Sequence, residues 1–319
     1  MDLDLLKKKS PLPFYHEDDI IFGDEKIGEG GNSSVYDGKI NGKCCVIKCV
    51  EVRSNHYFDL ELYELKVAAH LNNTKQVIKT IGFSYYSEDD INYYLLLMEL
   101  LTKHGDLYDY IQNKPTWTTS RMYDNDLIPY PKNDYVYYNS DDNIYWCYGM
   151  DLQEKINIVM SFTTAMNELH QKKILHGDIK TNNLIIYHEN NIPIVKIIDL
   201  GMASFKKSKK LINIQVRYGT KGYRAPEQEK YKLHYKSDVY SWGVTVIEIW
   251  NGDIWSRDSN DSFKSNRKDI LNKLKVIEKN HPSFGKLLRD SINMNVYKRP
   301  YMNTILKRFN KISFIHGHK

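Results

Sequence analysis

The chain is poor in cysteine and arginine, has no long apolar run, and carries no excess of either charge. Its four cysteines, three of them close together at Cys44, Cys45 and Cys49 and one distant at Cys147, make neither a disulfide framework nor a zinc-ligand spacing. Reduced thiols in a cytosol-like compartment are expected, so the chain is placed in the cytoplasm. The longest apolar stretches, 93–101 broken by Glu99 and 244–250 broken by Thr245 and Glu248, fall short of the roughly 20 residues that cross a bilayer. The opening MDLDLLKKKS lacks the apolar core of a secretory signal. A soluble chain with no membrane partner is expected. With 45 basic and 40 acidic residues and a net charge of +5, a polyanion-binding protein of histone type is excluded and no nucleic-acid partner is expected. The 9 arginines stand against 36 lysines amid abundant Asn, Ile and Tyr, the composition of an AT-rich genome. No internal repeat of fixed period is present.

At 319 residues with 41% hydrophobic content, the chain can bury a core for one large domain or two packed lobes. Residues 20–50 read as short strands with glycine turns, and Asn41-Gly42 is a hairpin signal. Helical spacing follows over 57–71, with Phe58, Leu62, Leu65 and Ala69 on one face, then strand-like runs at 77–86 and 92–98. The first hundred residues thus read as a small sheet with one helix. Beyond them, Leu152, Ile156, Val159, Thr163, Met166 and Leu169 mark a long helix, a loop spans 176–183, strand-like pieces cover 184–187 and 195–198, and helices follow at 237–250 and 267–279. Residues 113–150, rich in Tyr, Asn and Asp with Pro115, Pro129 and Pro131, read as an inserted surface loop.

Three groups of residues carry chemistry. The first is Ile27-Gly28-Glu29-Gly30-Gly31-Asn32-Ser33-Ser34-Val35, followed by Lys48 in Cys45-Val46-Ile47-Lys48. Glycines let backbone amides approach phosphate oxygens, and a strand lysine supplies fixed positive charge. It is no Walker loop, because no Gly-Lys-Ser/Thr triplet precedes a helix. The second is His176-Gly177-Asp178-Ile179-Lys180-Thr181-Asn182-Asn183 with Asp199-Leu200-Gly201. Asp178 can accept a hydroxyl proton, while Asn183 and Asp199 offer oxygen ligands suited to Mg²⁺. The third comprises Gly219-Thr220-Lys221-Gly222-Tyr223-Arg224-Ala225-Pro226-Glu227, Asp238-Val239-Tyr240-Ser241-Trp242-Gly243 and Lys298-Arg299-Pro300, informative through order and spacing.

In this order, from about residue 20 to about residue 310, the groups resemble a eukaryotic-type protein kinase of serine/threonine type. The resemblance implies an α+β, two-lobed fold: an extension over 1–20, a β-rich lobe with one main helix over 21–100, and a mainly helical lobe over 101–319 carrying the 113–150 insert. It implies ATP and Mg²⁺ as cofactors and protein substrates with Ser/Thr acceptors, acted on by a monomer. Lys48 would contact the α- and β-phosphates, held by Glu64, with Glu61 the fallback. Asp178 would orient and deprotonate the acceptor, Lys180 would steady the transferring phosphoryl group, and Asn183 and Asp199 would hold metal. Met98 resembles the residue guarding the adenine pocket, and Glu99, Leu100 and Leu101 the hinge. Ile27, Val35, Val46 and Ile185 would sandwich the purine, with residues 28–34 over the phosphates. Glu227 with Arg299 matches a buried ion pair, and Asp238 an aspartate bracing the catalytic loop.

Departures also carry expectations. Ser33 replaces the third glycine of the phosphate loop. Gly177 stands where many regulated kinases carry an arginine that receives an activating phosphate, so activity without such phosphorylation is expected. Ser208 is the one Ser/Thr hydroxyl in 206–218. Neutral Asn182, together with Lys206, Lys207, Lys209 and Lys210, hints at acidic substrates.

Overall fold

The computed structural model describes residues 3–30, 33–52, 57–88, 91–101, 106–113, 118–119, 136–140, 143–147, 150–206, 210–214, 218–251, 256–257, 263–264 and 267–314. Helix α1 (Leu3–Lys9) precedes strands β1 (Ile20–Gly30), β2 (Ser33–Ile40) and β3 (Lys43–Glu51), helix α2 (Tyr57–Leu71), and strands β4 (Thr80–Glu88) and β5 (Ile91–Glu99). The five strands form one antiparallel sheet in the order β1-β2-β3-β5-β4. Asn41 and Gly42 turn β2 into β3 with φ of 47° and 76°, the paired left-handed backbone that a two-residue hairpin turn demands and an Asn-Gly pair adopts cheaply.

The alternation of β3 assigns the faces of this sheet. Cys45, Ile47 and Cys49 enter one small core with Leu95 and Leu97 of β5. Val46 and Val50 pack with Leu96 and Met98 into the larger core on the opposite face. Because side chains alternate along a strand, Lys48 lies on the α2 side.

The sequence reading of a single helix in this half is corrected by α1. Leu6 is wholly buried in the same core as Leu62, Leu65 and Phe83. The segment after α1 then straps onto β4: the Phe83 N–H donates to the Pro13 carbonyl at 3.0 Å, and the Tyr15 N–H to the Phe83 carbonyl at 3.0 Å. Gly82 permits this approach, since a Cβ there would lie 2.5 Å from the Pro13 carbonyl oxygen.

The rest of the chain is mainly helical. Helix α3 (Leu107–Asn113) leads into β6 (Thr118–Thr119), β7 (Val136–Ser140) and β8 (Asn143–Cys147), which pair in the order β6-β8-β7. The stretch read as a loop therefore contains a small sheet, formed where Val136, Tyr137, Tyr138, Ile144, Tyr145 and Trp146 supply β-branched and aromatic residues. Helix α4 (Leu152–Gln171) starts at Asp151, whose carboxylate accepts the Glu154 N–H at 2.6 Å, a side-chain cap of an otherwise unpaired donor. Strands β9 (Ile174–Leu175), β10 (Leu184–Glu189), β11 (Ile192–Ile197) and β12 (Ser204–Phe205) follow, β10 pairing with β11 and β12 with β9. Helix α5 (Tyr235–Asn251) is buried on every side from Tyr235 to Trp250, its polar Asp238, Ser241, Thr245 and Glu248 included. Helices α6 (Arg267–Asn280) and α7 (Pro282–Ser291) pack against it, and α8 (Met302–Phe309) against α4 and α7. The result is a two-lobed α+β fold, and the polar loops meet between the lobes.

Candidate active site

Lys48, Glu64 and Asp199 converge from three elements. The Lys48 ammonium lies 2.8 Å from the Asp199 carboxylate and 3.8 Å from Glu64. Burial works against the ammonium, but the Asp199 and Glu64 carboxylates outweigh it and hold Lys48 firmly protonated. The Lys48 charge in turn holds Asp199 well below the usual carboxylate range, against the cost of burial. Glu64 is pushed up, by burial first and with Asp199 adding to it, while the lysine, nearer to Asp199, only partly offsets this. Glu61, one helical turn earlier, does not face Lys48; its carboxylate accepts the Tyr85 hydroxyl on β4. Asp199 adopts a left-handed backbone, φ 59°, costly for a non-glycine residue and characteristic of sites where placement matters.

The loop 176–183 is held from below by α5. Asp238, 1% exposed, accepts the N–H groups of His176 and Gly177 at 2.9 Å each and lies 2.9 Å from the His170 ring. His176 is also buried: its Nδ1 accepts the Asp178 N–H at 3.3 Å while its Nε2–H donates to the Ile198 carbonyl at 3.2 Å. This cross-link ties Asp178 to the strand end that carries Asp199. Gly177 has φ 85°, and a Cβ there would lie 3.0 Å from the Met202 carbonyl oxygen and 3.2 Å from the Tyr218 ring.

Around Asp178 the hydroxyl and amide groups are ordered. Asn183 donates its amide N–H to the Asp178 carbonyl at 2.7 Å and lies 3.3 Å from the Asp178 carboxylate, which leaves the Asn183 amide oxygen as its free ligand atom. Thr220 donates to Asp178 at 2.8 Å, Lys180 donates to Thr220 at 3.0 Å, and the Lys180 ammonium is 3.5 Å from Asp178. In the sequence Thr220 stands out only as a member of the 219–227 run, informative through order and spacing. The structure places it as a bridge between Lys180 and Asp178, a role that a single loop hydroxyl announces by no periodicity.

Met98 lies opposite Val46 on β5, and Glu99, which closes the strand, pairs opposite Cys45. The Glu99 carboxylate accepts the Lys79 N–H at 2.8 Å and the Lys196 ammonium, while the Glu99 N–H donates to the Lys79 carbonyl at 3.0 Å. Leu101 and Val46 are partly buried beside the larger core, Ile185, Val35 and Ser33 are half-buried, and Ile27 is exposed. Gly28, Glu29 and Gly30 of β1 pair with Val35, Ser34 and Ser33 of β2, so the glycine hairpin forms around the expected loop. Its tip, Gly31 and Asn32, lies outside the described residues, as do Lys207, Ser208 and Lys209. Lys206 corrects the reading of an exposed basic edge: it is 3% exposed and donates to the Lys210 carbonyl at 2.6 Å. Below the site, Arg299 grips Glu227 with two hydrogen bonds of 2.7 and 2.8 Å, both residues buried.

This donor set fits a magnesium nucleotide. Asp199 is kept ionised, Asn183 presents an oxygen, and Mg²⁺ favours few protein oxygens plus phosphates; Lys48 supplies a fixed positive charge for phosphate.

Residues 23–309 match the protein kinase domain, and the chain belongs to the eukaryotic-type protein kinase family. It is 27% identical over 260 residues to a probable serine/threonine-protein kinase of Dictyostelium discoideum, covering 78% of this chain and 23% of that protein. A probable serine/threonine-protein kinase 2 of Plasmodium falciparum is 28% identical over 253 residues, 76% of this chain and 40% of the relative. The cysteine-rich receptor-like protein kinase 7 of Arabidopsis thaliana is 30% identical over 234 residues, 71% and 29% respectively. The chain thus spans less than half the length of these relatives. Among the described residues no helix is long and apolar enough to cross a membrane.

Proposed function

We propose that the chain is an ATP- and Mg²⁺-dependent serine/threonine protein kinase, with lobes at 21–100 and 101–319 and the site between them. The observation that carries this reading is the hydrogen-bonded chain Lys180 to Thr220 to Asp178 to Asn183, set beside the Lys48, Glu64 and Asp199 charges. Bound Mg-ATP would supply the γ-phosphoryl group, with Lys48 on the α- and β-phosphates and Asn183 and Asp199 on metal. The chain's own work is positioning and charge neutralisation, which dominate phosphoryl transfer. Asp178 takes the proton of the acceptor hydroxyl, its carboxylate aimed by Thr220 and Asn183. Lys180 offsets negative charge beside it. Glu64 keeps the Lys48 side chain extended toward the nucleotide. Residues 27–35, Val46, Ile185, Met98, Glu99 and Leu101 form the nucleotide pocket.

Serine and threonine are the proposed acceptors because Lys180 and Gly219-Thr220 resemble the corresponding residues of serine/threonine kinases, Thr220 joins Lys180 to Asp178, and two of the relatives carry serine/threonine specificity in their names. A reducing compartment is proposed from three unpaired cysteines, Cys44, Cys45 and Cys49. Burial pushes the Cys45 thiol up to about 11 and the Cys49 thiol up to about 12, so both stay protonated and unreactive.

The test is transfer of labelled γ-phosphate from Mg-ATP to casein, to basic protein and to the chain itself, with the phosphorylated amino acid identified. Phosphoserine or phosphothreonine that falls by about 10²- to 10⁴-fold in Asp178→Asn, the range for losing a general base, supports the proposal. Absence of transfer to every acceptor in the wild type overturns it and points to a kinase-fold scaffold.

A further inference from the structure

We infer that Tyr63, Phe205 and His70 form an aromatic clasp that docks α2 onto β12 and so positions Glu64 without any covalent modification. The inference rests on the kinase reading above and concerns how that site is assembled. Tyr63 is the residue before Glu64 on α2. Its hydroxyl oxygen accepts the Phe205 N–H at 2.6 Å, and its ring meets the Phe205 ring edge-on at 5.8 Å and 81°. Two turns further along α2, His70 meets the same Phe205 ring at 5.3 Å and 66°, and its Nε2–H donates to the Lys172 carbonyl at 3.2 Å.

Phe205 is a fixed anchor. It pairs with Ile174 across the β12 and β9 ladder, and the next residue, Lys206, donates its N–H to the Lys173 carbonyl at 2.8 Å. The same short segment begins at Asp199, so α2 and the Asp199 turn are held to one piece of the large lobe. A rotation of α2 that carried Glu64 away from Lys48 would have to break the Tyr63 hydrogen bond and part both ring contacts.

The closing contacts are ring edges and backbone hydrogen bonds, and they require no added charge. Beneath them Gly177 carries no side chain, and the Tyr218 ring sits 3.2 Å from where its Cβ would be. Tyr63 and Phe205 are each more than a third exposed, so their contact organises a helix rather than filling a core. They are positioning residues, not catalytic ones.

The experiment compares wild type, Tyr63→Phe, Tyr63→Ala, Phe205→Ala and the double alanine variant, all treated with phosphatase and checked by mass spectrometry. Treated wild type should retain its activity; loss of activity on treatment overturns the modification-free part. Tyr63→Ala, which loses one ring contact and the hydrogen bond, and Phe205→Ala, which keeps its backbone N–H but loses both ring contacts, should each lower kcat by about threefold to tenfold, with peptide KM changed less than about twofold. Tyr63→Phe, which keeps the ring, should lose less than about threefold and covers the case of an alanine variant that fails to fold. The double variant should fall short of the product of the two singles, because the Tyr63–Phe205 ring contact is lost in both. Unchanged kcat in both singles, or effects that multiply in the double, overturns the clasp. If wild type transfers no phosphate, the kinase reading fails while the clasp is still decided by amide exchange over 57–71: faster exchange in the alanine variants supports it, and unchanged exchange overturns it.

Discussion

Replacing Asp238 by asparagine keeps the shape of the side chain and removes one acceptor. One carboxylate oxygen takes the Gly177 N–H; the other takes the His176 N–H and faces His170. His170 can adapt by exchanging tautomers, but the two backbone donors cannot. Whichever way the new amide is turned, its NH₂ faces a backbone N–H that then has no acceptor. The loss is one charge-assisted hydrogen bond plus the cost of a buried unpaired donor, together about 2–4 kcal/mol. That is a large share of the roughly 5–15 kcal/mol that holds a typical domain. Because Gly177 directly precedes Asp178, kcat should fall with stability, by about tenfold or more. Urea unfolding of Asp238→Asn, with the slope unchanged, and steady-state phosphate transfer read the two effects. A stability change below about 0.5 kcal/mol with kcat within twofold of wild type would refute the argument that α5 holds the catalytic loop through this carboxylate.

Glu61 is raised by burial and by the nearby Glu64, with the Tyr85 hydroxyl pulling the other way. Between the ordinary value of 4.5 and the raised one, the folded state binds more protons than the unfolded state, so this residue's contribution falls as pH rises through that window and its full penalty is present above it. Glu61→Gln should therefore melt higher than wild type at pH near 7.5, the gap closing as pH drops toward 4; a variant less stable at both pH values contradicts this. Leu6→Ala should cost about 2 kcal/mol, the low end for a buried leucine, because the short α1 can undock instead of leaving a cavity. Limited proteolysis should then cut within residues 3–16 while the remaining chain stays folded, and a resistant α1 would argue that it is fixed by more than Leu6.

Much of the site is legible because its chemistry sits in short, ordered runs. The alternation of β3 alone puts Lys48 on the face opposite Cys45, Ile47 and Cys49, and the Asn-Gly pair announces the turn before it. The choice between Glu61 and Glu64 is harder, since residues three apart share one helix face. Only the packing of α2 separates them, one carboxylate against Tyr85 and the other toward Lys48. Helix α1 has seven residues, too few for a periodic signal, and its meaning lies in its packing against α2, distant in the chain. Lys206 misleads for a different reason: a run of lysines reads as a solvated face, yet its first member turns inward to a backbone carbonyl. Tyr63 and Phe205 carry no signal at all, because an exposed aromatic in one element says nothing of the aromatic it meets in another.

The placement of α2 and the electrostatics of the site are one problem. Asp199, Glu64 and Lys48 bring two negative charges and one positive together, with Lys48 and Glu64 largely buried and Asp199 partly open to solvent, and such a group is tolerated only while the geometry keeps the positive charge between the other two. Lys48 is fixed by its strand and Asp199 by its turn, which leaves Glu64 as the member whose distance depends on how α2 is docked. That helix is tied to the sheet through Glu61 and Tyr85, to the chain's beginning through Leu6, and to the large lobe through Tyr63 and His70. Each tie lies on a different side of the helix, so no single loss frees it in every direction. Loss of the large-lobe tie is the one that opens the gap to Lys48, because it is the only one of the three that binds α2 to the segment carrying Asp199.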